Sequence, residues 1–220
     1  MRKYSTMRYT LSLACAVLAI LTPLHAADLA YENDFETTEV GGVPDDFLII
    51  DGAFAVREEG GNKFLELPGA PLDSFNAMFG PAAKGGIGVS ARIFGTGKGR
   101  RFPTFGVALN GLGGYKLRVS PGKKALELYR GDDVKESVPL QWESGKWTYL
   151  KLELTTPTEG KWLVQGKLWQ EGGTEPKEPT ITFEDDAAPP SGRQTISGSP
   201  YAGTPIRYDD IKVWEIQPAG

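Results

Sequence analysis

Six residues of the sequence bring aromatic rings and hydrogen-bonding groups into segments where apolar residues recur at every second position. They are Arg92, Arg118, Tyr129, Tyr149, Gln165 and Trp169. An aromatic ring stacks on the apolar face of a pyranose, while guanidinium and amide groups bind its hydroxyls. This combination predicts a saccharide-binding surface. The alternative is an ordinary solvated sheet, on which polar and opposite-charge pairs form across neighbouring strands.

Two glutamates, Glu127 and Glu153, are candidates for a catalytic pair, because each alternates with leucines on a separate segment. Glycoside cleavage needs an acid and a second carboxylate about 5 to 10 Å apart across the sugar. Two glutamates on a sheet are also common without any such role. We therefore predict binding rather than catalysis and keep cleavage by these carboxylates as the alternative.

The only cysteine and the only histidine, Cys15 and His25, lie close to the N-terminus. Residues 1–26 resemble a secretory signal, with a basic start and an apolar run over residues 11–21. That run is roughly half of the ~20 residues that a membrane-spanning helix needs. We expect a secreted or periplasmic domain over residues 27–220, without a transmembrane segment after cleavage. Thiol and imidazole chemistry would then be excluded.

Alternation with period two predicts the elements that position these side chains, for example over residues 87–93, 115–119 and 150–154. Segments rich in Gly, Pro and Asp, such as residues 110–114 and 130–133, separate the alternating runs. Short strands at this spacing are typical of an antiparallel sandwich or barrel. The sequence therefore predicts an all-β single domain without helices.

Short motifs at both ends and in the centre carry a family resemblance. They are Asp34-Phe35-Glu36, Gly145-Lys146-Trp147 and Asp209-Asp210-Ile211. In these motifs the chain resembles the concanavalin A-like lectin/glucanase superfamily, which includes laminin G-like domains and many carbohydrate-binding modules. The resemblance covers about residues 29–216. It implies a jelly-roll β-sandwich in which the opening strand lies beside the closing strand, and a glycan-binding or surface-associated accessory role.

The same resemblance implies a structural calcium ion held between the two ends of the domain. Its candidate ligands, carried over by position, are Asp34, Glu36, Asp209 and Asp210. Calcium prefers six to eight oxygen ligands, and carboxylates supply them. The alternative is that these acids are solvated or cap turns, since the sequence has no continuous Asp-x-Asp-x-Asp loop. No organic cofactor is expected.

Two other functions remain open at this stage. Residues 198–213 resemble the closing segment of 3-keto-disaccharide hydrolases, and glucanases of the superfamily cleave glycosides, so an enzyme is the first alternative. The glucanase motif Glu-x-Asp-x-x-Glu does not occur in the sequence. A structural scaffold without a small ligand is the second alternative.

A basic, glycine-rich segment over residues 95–101 is predicted to form a hairpin loop rather than a phosphate-binding loop, because another strand follows it. Its positive charges fit an acidic glycan. Nucleic acid is not an expected partner, since the chain has a net charge of −4 and carries an export signal.

Overall fold

The computed structural model describes residues 28–69, 73–155, 160–200 and 203–217, and these residues form two antiparallel sheets. The predicted signal segment, residues 1–26, lies outside the described residues. Strands are numbered along the chain. Sheet A contains β1 (Asp28–Asn33), β3 (Ala55–Glu59), β4 (Asn62–Leu67), β6 (Ile87–Phe94), β11 (Trp147–Thr155), β12 (Trp162–Gln170), β13 (Ile181–Asp185) and β15 (Ile206–Glu215).

Sheet B contains the seven other described strands. They are β2 (Leu48–Asp51), β5 (Phe75–Ala83), β7 (Thr104–Leu109), β8 (Tyr115–Ser120), β9 (Ala125–Arg130), β10 (Asp133–Pro139) and β14 (Gly192–Ser199). Sheet A runs in the order β13-β12-β11-β6-β15-β4-β3, and sheet B in the order β10-β9-β8-β7-β14-β5-β2. A single 3-10 turn, Pro121–Lys123, is the one helical element in the described part of the chain. No helix there is long and apolar enough to cross a membrane.

The core lies between the two sheets and consists of the apolar residues of the alternating runs. Val89, Leu152 and Val213 from sheet A and Leu117 and Ile196 from sheet B are fully buried in it. Because successive side chains of a strand point to opposite faces, the residues between these apolar ones project from the outer faces of the sandwich. The all-β antiparallel sandwich predicted from the sequence is confirmed.

The closing strand β15 joins the two ends of the domain at the middle of sheet A. It pairs with β6 along one edge; along its other edge it pairs first with β4 and then with β1. The register shifts between Asp209 and Lys212, where Asp210 adopts a positive φ of 48°. The predicted pairing of the opening and closing strands is therefore confirmed, and a β-bulge marks the point where the partner strand changes.

Glycine-rich turns end the strands as the sequence predicts. The hairpin between β3 and β4 has a two-residue loop, Gly60-Gly61, with φ values of 66° and 82°. Positive φ at both central residues is the geometry of a type I′ turn, which matches the twist of the flanking strands. Glycine adopts this geometry without a steric penalty.

Candidate functional site

The six predicted binding residues lie on two different faces of the molecule. Arg92 in β6, Tyr149 in β11, and Gln165 and Trp169 in β12 belong to sheet A, whereas Arg118 in β8 and Tyr129 in β9 belong to sheet B. All six alternate with core residues and therefore face away from the core. The expectation of one continuous surface is wrong, because β8 and β9 belong to sheet B whereas β6, β11 and β12 belong to sheet A.

A row of side chains crosses the outer face of sheet A. Trp169 lies opposite Tyr149, Tyr149 lies opposite Arg92, and Arg92 lies opposite Asp209, on four neighbouring strands. The rings of Tyr149 and Trp169 are parallel, with centroids 5.2 Å apart and an interplanar angle of 3°. Stacking across strands fixes both rings and leaves them partly exposed.

A shallow depression of about 240 Å³ adjoins this row. Its lining combines two aromatic rings, two cations, a carboxylate and a hydroxyl. The side chains concerned are Ser90, Arg92, Tyr149, Trp169, Asp210 and Lys212. Three of the six predicted binding residues, Arg92, Tyr149 and Trp169, are thus brought together here. Gln165 lies on the same sheet but does not line the depression.

Arg92 occupies a fixed position beside the depression. Its Nη2 lies 2.6 Å from Asp209 Oδ2 and 3.0 Å from Asn62 Oδ1, and its Nε lies 2.9 Å from a carboxylate oxygen of Asp210. Its guanidinium carbon lies 4.6 Å from the centroid of the Trp147 ring. A planar guanidinium held by carboxylates on one side and an aromatic ring on another keeps one orientation, so it can present a hydrogen-bond donor to a ligand without a large loss of entropy.

Asp209 is the buried anchor of this arrangement, with 1% of its surface exposed. Burial raises the pKa of its carboxyl, and the hydrogen bond from Asn62 and the positive charge of Arg92 offset part of that rise. The neighbouring carboxylates raise the pKa of Arg92 against the effect of its own burial. Arg92 therefore stays charged and supplies the positive charge that a buried Asp209 carboxylate requires.

The four candidate calcium ligands do not form a metal site in the described residues. Asp209 and Asp210 both contact Arg92, so a guanidinium occupies the place between these two carboxylates. Glu36 accepts a hydrogen bond from the backbone of Lys63 at 2.8 Å, and Asp34 accepts one from the backbone of Glu36 at 3.1 Å. No three acidic side chains in the described ranges converge on one point. The arrangement of these acids gives no support to the expected calcium ion, which stays a prediction.

The two candidate catalytic glutamates project from opposite faces of the sandwich. Glu153 lies in β11 of sheet A and Glu127 in β9 of sheet B, each between core leucines. Since two packed sheets are separated by about 10 Å and the side chains point outward, the two carboxylates cannot flank one glycosidic bond. The hypothesis that these two glutamates form a catalytic pair is wrong. Alternation along a strand shows which side chains point away from the core, but it does not show to which sheet the strand belongs.

Glu127 is instead the centre of an ion-pair cluster on sheet B. Its carboxylate lies 2.9 Å from Arg118 and 2.8 Å from Lys123, and it accepts hydrogen bonds from Tyr129, at 3.1 Å, and from Ser120. Burial acts to raise its pKa, but the hydrogen bonds from Lys123 and Ser120 and the charge of Arg118 outweigh burial and lower the pKa. A carboxyl with a lowered pKa is ionised at neutral pH and is not suited to act as a general acid.

Two residues of the depression, Ser90 and Lys212, are not among those predicted from the sequence. Both occupy positions in β6 and β15 whose side chains point away from the core, and they lie opposite each other. They come together because β6 pairs with the closing strand more than a hundred residues later in the chain. No local pattern in the sequence carries this pairing.

Comparison with known proteins shows a relationship of fold. No protein-family model and no curated protein matches the sequence. The carbohydrate binding module CBM66 from Bacillus subtilis matches in structure with a TM-score of 0.53 and 11% identity, over 77% of this chain and 96% of that one. The carbohydrate recognition domain of Emp46p, in its metal-free form, matches with a TM-score of 0.57 and 12% identity, over 86% of this chain and 96% of that one.

A putative β-glucanase from Mycobacterium abscessus has a TM-score of 0.52 and 12% identity, over 84% of this chain and 100% of that one. The chain resembles the concanavalin A-like lectins and glucanases in fold. This likeness confirms the resemblance predicted from the end motifs. At such low identity it shows a shared fold and leaves open both the ligand and whether the domain is a binding module or an enzyme.

Proposed function

We propose that the protein is an exported accessory module that binds a poly- or oligosaccharide on the outer face of sheet A. The observation that carries this proposal is the parallel Tyr149 and Trp169 pair beside a depression with charged walls. Partly exposed rings next to fixed hydrogen-bonding groups supply both the stacking and the polar contacts that sugar recognition needs.

Each group has a definite role in this proposal. The rings of Tyr149 and Trp169 stack against the apolar face of a pyranose, while Arg92 donates hydrogen bonds to the hydroxyls of the sugar. Asp210 and Ser90 accept hydrogen bonds from neighbouring hydroxyls. Because Asp209 and Trp147 already hold Arg92 in place, binding would not have to order this side chain.

Two further points support the proposal. Two of the structural neighbours named above are a carbohydrate binding module and a carbohydrate recognition domain. The basic and apolar segment at the N-terminus is of the kind that directs export, which would place the module where extracellular glycans occur.

The test is a glycan-array screen of residues 27–220, followed by affinity measurement with the best ligand by calorimetry. Trp169→Ala and Tyr149→Ala are each expected to weaken binding about tenfold, since stacking and ring burial contribute roughly 1 to 1.5 kcal/mol. Trp169→Phe, which keeps a ring, should retain most of the affinity. Leu48→Ala is the matched control, because Leu48 is an exposed apolar residue of sheet B.

The outcomes separate the proposal from its alternatives. Unchanged affinity in both aromatic variants, with wild-type melting temperatures, would place the ligand elsewhere and contradict the proposed site. Release of new reducing ends during the incubation would indicate a glycoside-cleaving enzyme, including one of the 3-keto-disaccharide type. If no glycan on the array binds, the binding proposal fails and the result supports the alternative of a structural scaffold.

A further inference from the structure

The outer face of sheet B carries a second depression, of about 260 Å³, on the side of the molecule opposite the proposed sugar site. Its lining is mostly polar and small, and two cations stand on one side of it. The side chains that the argument uses are Asn76, Thr104, Lys116, Arg118, Asp132 and Ser197. Because this depression lies on sheet B, it has no role in the function proposed for sheet A.

A glycine lies opposite two of the residues that line this depression. Gly106 of β7 lies opposite Arg118 of β8 and opposite Ser197 of β14. A Cβ on Gly106 would lie 2.2 Å from the backbone oxygen of Leu117, so no side chain fits at this position. The partly exposed side chains of Thr104 and Asn76 and the largely buried hydroxyl of Ser197 line the same depression as the two cations.

Lys116 is the cation without an ion pair in the described residues, and its amine lies 5.9 Å from the centroid of the Tyr129 ring. It is partly buried, and its amine forms no ion pair or hydrogen bond with any residue in the described ranges. It lies two positions from Arg118 on the same face of β8. Burial and the charge of Arg118 lower the pKa of Lys116, and Asp132 opposes this only in part. An anion bound here would relieve the unfavourable proximity of the two positive charges.

Further exposed cations lie outside the depression, in a neighbouring loop and turn. Lys98, Arg100 and Arg101 lie in the hairpin loop between β6 and β7, where Lys98 and Arg101 exchange backbone hydrogen bonds of 2.9 and 3.1 Å. Phe102 at the end of this loop packs near Gly122 in the turn that also carries Lys123 and Lys124.

Few acidic groups balance these charges. Within the described residues, only Lys123 of these five cations has an ion pair, and its partner Glu127 also binds Arg118. The loop, the turn and the edge of the depression therefore form one positive surface on a chain whose net charge is −4.

We propose that this surface, defined by Lys98, Arg100, Arg101, Lys123, Lys124, Arg118 and Lys116, binds an acidic polysaccharide that carries sulfate or carboxylate groups. The cations form ion pairs with the anionic groups, and the hydroxyl and amide groups of the depression form hydrogen bonds with the sugar hydroxyls. A saccharide is favoured over a nucleic acid because the depression offers small polar groups and its lining contains no aromatic ring apart from Phe105, whose side chain lies in the core. The Asp132 carboxylate at the rim serves as an acceptor for a hydroxyl.

The test measures the affinity of residues 27–220 for dextran, dextran sulfate and carboxymethyl dextran, which share one backbone and differ in charge. We expect binding to dextran sulfate, carboxymethyl dextran or both at about 50 mM salt, with affinity that falls steeply toward about 300 mM because exposed charges become screened. The charged polymer that binds identifies sulfate or carboxylate as the preferred group. Equal affinity for dextran and both charged polymers would overturn the proposal.

Variants locate the surface. Arg100→Gln combined with Arg101→Gln removes two exposed charges without touching a buried residue, and Lys116→Gln tests the depression separately. Each is expected to weaken binding of the charged polymer about three- to tenfold. The matched control, Lys84→Gln with Lys177→Gln, removes two exposed lysines elsewhere and should leave affinity within about twofold.

Two comparisons make the result specific. Equal losses in the control and in the loop variant would show a general charge effect and overturn the assigned surface. A DNA duplex that binds as tightly as the charged dextrans, with the same dependence on Arg100 and Arg101, would overturn the choice of a saccharide. Trp169→Ala should keep full affinity for the charged polymer, so this proposal and the sheet A site can fail independently.

Discussion

Arg92 is the residue on which the outer face of sheet A depends, because it compensates the charge of a buried carboxylate. Arg92→Gln leaves Asp209 without its cation, and we expect the free energy of unfolding to fall by about 3 kcal/mol. Adding Asp209→Asn should recover part of that loss, since the buried charge is then removed as well. Urea denaturation of the two single variants and the double variant measures this coupling.

Arg57→Gln is the control for this cycle. Arg57 lies on the same sheet, is about half exposed and approaches Glu66 only to 3.9 Å. Its loss should change the free energy of unfolding by less than about 0.5 kcal/mol. A similarly small effect of Arg92→Gln would show that Asp209 does not require the guanidinium.

At the residue scale, two of the acids singled out in the sequence have a partner that their types and positions did not predict. Asp209 and Asp210 stand out as adjacent carboxylates near the chain end, and carboxylates suggest a cation. That cation is the guanidinium of Arg92, which lies more than a hundred residues earlier in the chain. Which cation meets a carboxylate depends on strand pairing, and residue types alone do not contain that information.

At the element scale, close packing of side chains over a glycine shapes sheet A. Gly88 in β6 lies opposite Trp214 in β15, and a Cβ on Gly88 would lie 2.2 Å from the indole ring. Gly88→Ala must therefore displace Trp214, which also lies 5.1 Å from the amine of Lys151. We expect a loss of about 1 to 3 kcal/mol in unfolding free energy and a changed near-UV circular dichroism spectrum.

Gly113→Ala provides the matched control for Gly88→Ala. Gly113 lies in the turn between β7 and β8, and a Cβ there would have no neighbour within 4 Å. Its substitution should leave both the stability and the near-UV spectrum close to those of the wild type. If Gly88→Ala behaves in the same way, the indole does not pack over this position as described.

Alternation predicted the strands well, because burying one face of a strand imposes period two on its residues. It could not predict how the strands divide between sheets. Tyr129 and Tyr149 both alternate with core leucines in their strands, yet Tyr129 is buried beside Glu127 on sheet B and Tyr149 stacks on Trp169 on sheet A. The candidate site was therefore half predicted: the outward residues were correct, and their common face was not.

At the scale of the whole molecule, a buried hydrogen-bond cluster ties the two sheets together at one side. The hydroxyl of Tyr115, in β8 of sheet B, donates to Asp185 at the end of β13 in sheet A, at 2.8 Å. Arg130 in β9 pairs with the same carboxylate and donates to the backbone of Ala188 at 3.0 Å. This cluster fixes the relative position of the two sheets whose outer faces carry the two proposed sites.

The pH dependence of stability tests this connection. Burial acts to raise the pKa of Asp185, but hydrogen bonds from the Ala187 backbone and Tyr115 and the charge of Arg130 outweigh it, so the pKa lies below its ordinary value. The unfolded chain therefore binds a proton at higher pH than the folded chain does. The stabilisation is complete at neutral pH, begins to weaken near the ordinary value of about 4, and is lost as the pH falls through the lowered pKa.

Asp185→Asn should accordingly lower the free energy of unfolding by about 2 kcal/mol at pH 7, because Arg130 then faces a neutral group. The difference from the wild type should shrink as the pH falls below the ordinary pKa and through the lowered one, because the wild-type carboxyl is then protonated as well. Asp186→Asn, at the exposed next position, is the control and should show no such dependence. A difference that stays constant between neutral and acidic pH would mean that the ionised Asp185 does not hold the sheets together, and the connection would then rest on apolar packing alone.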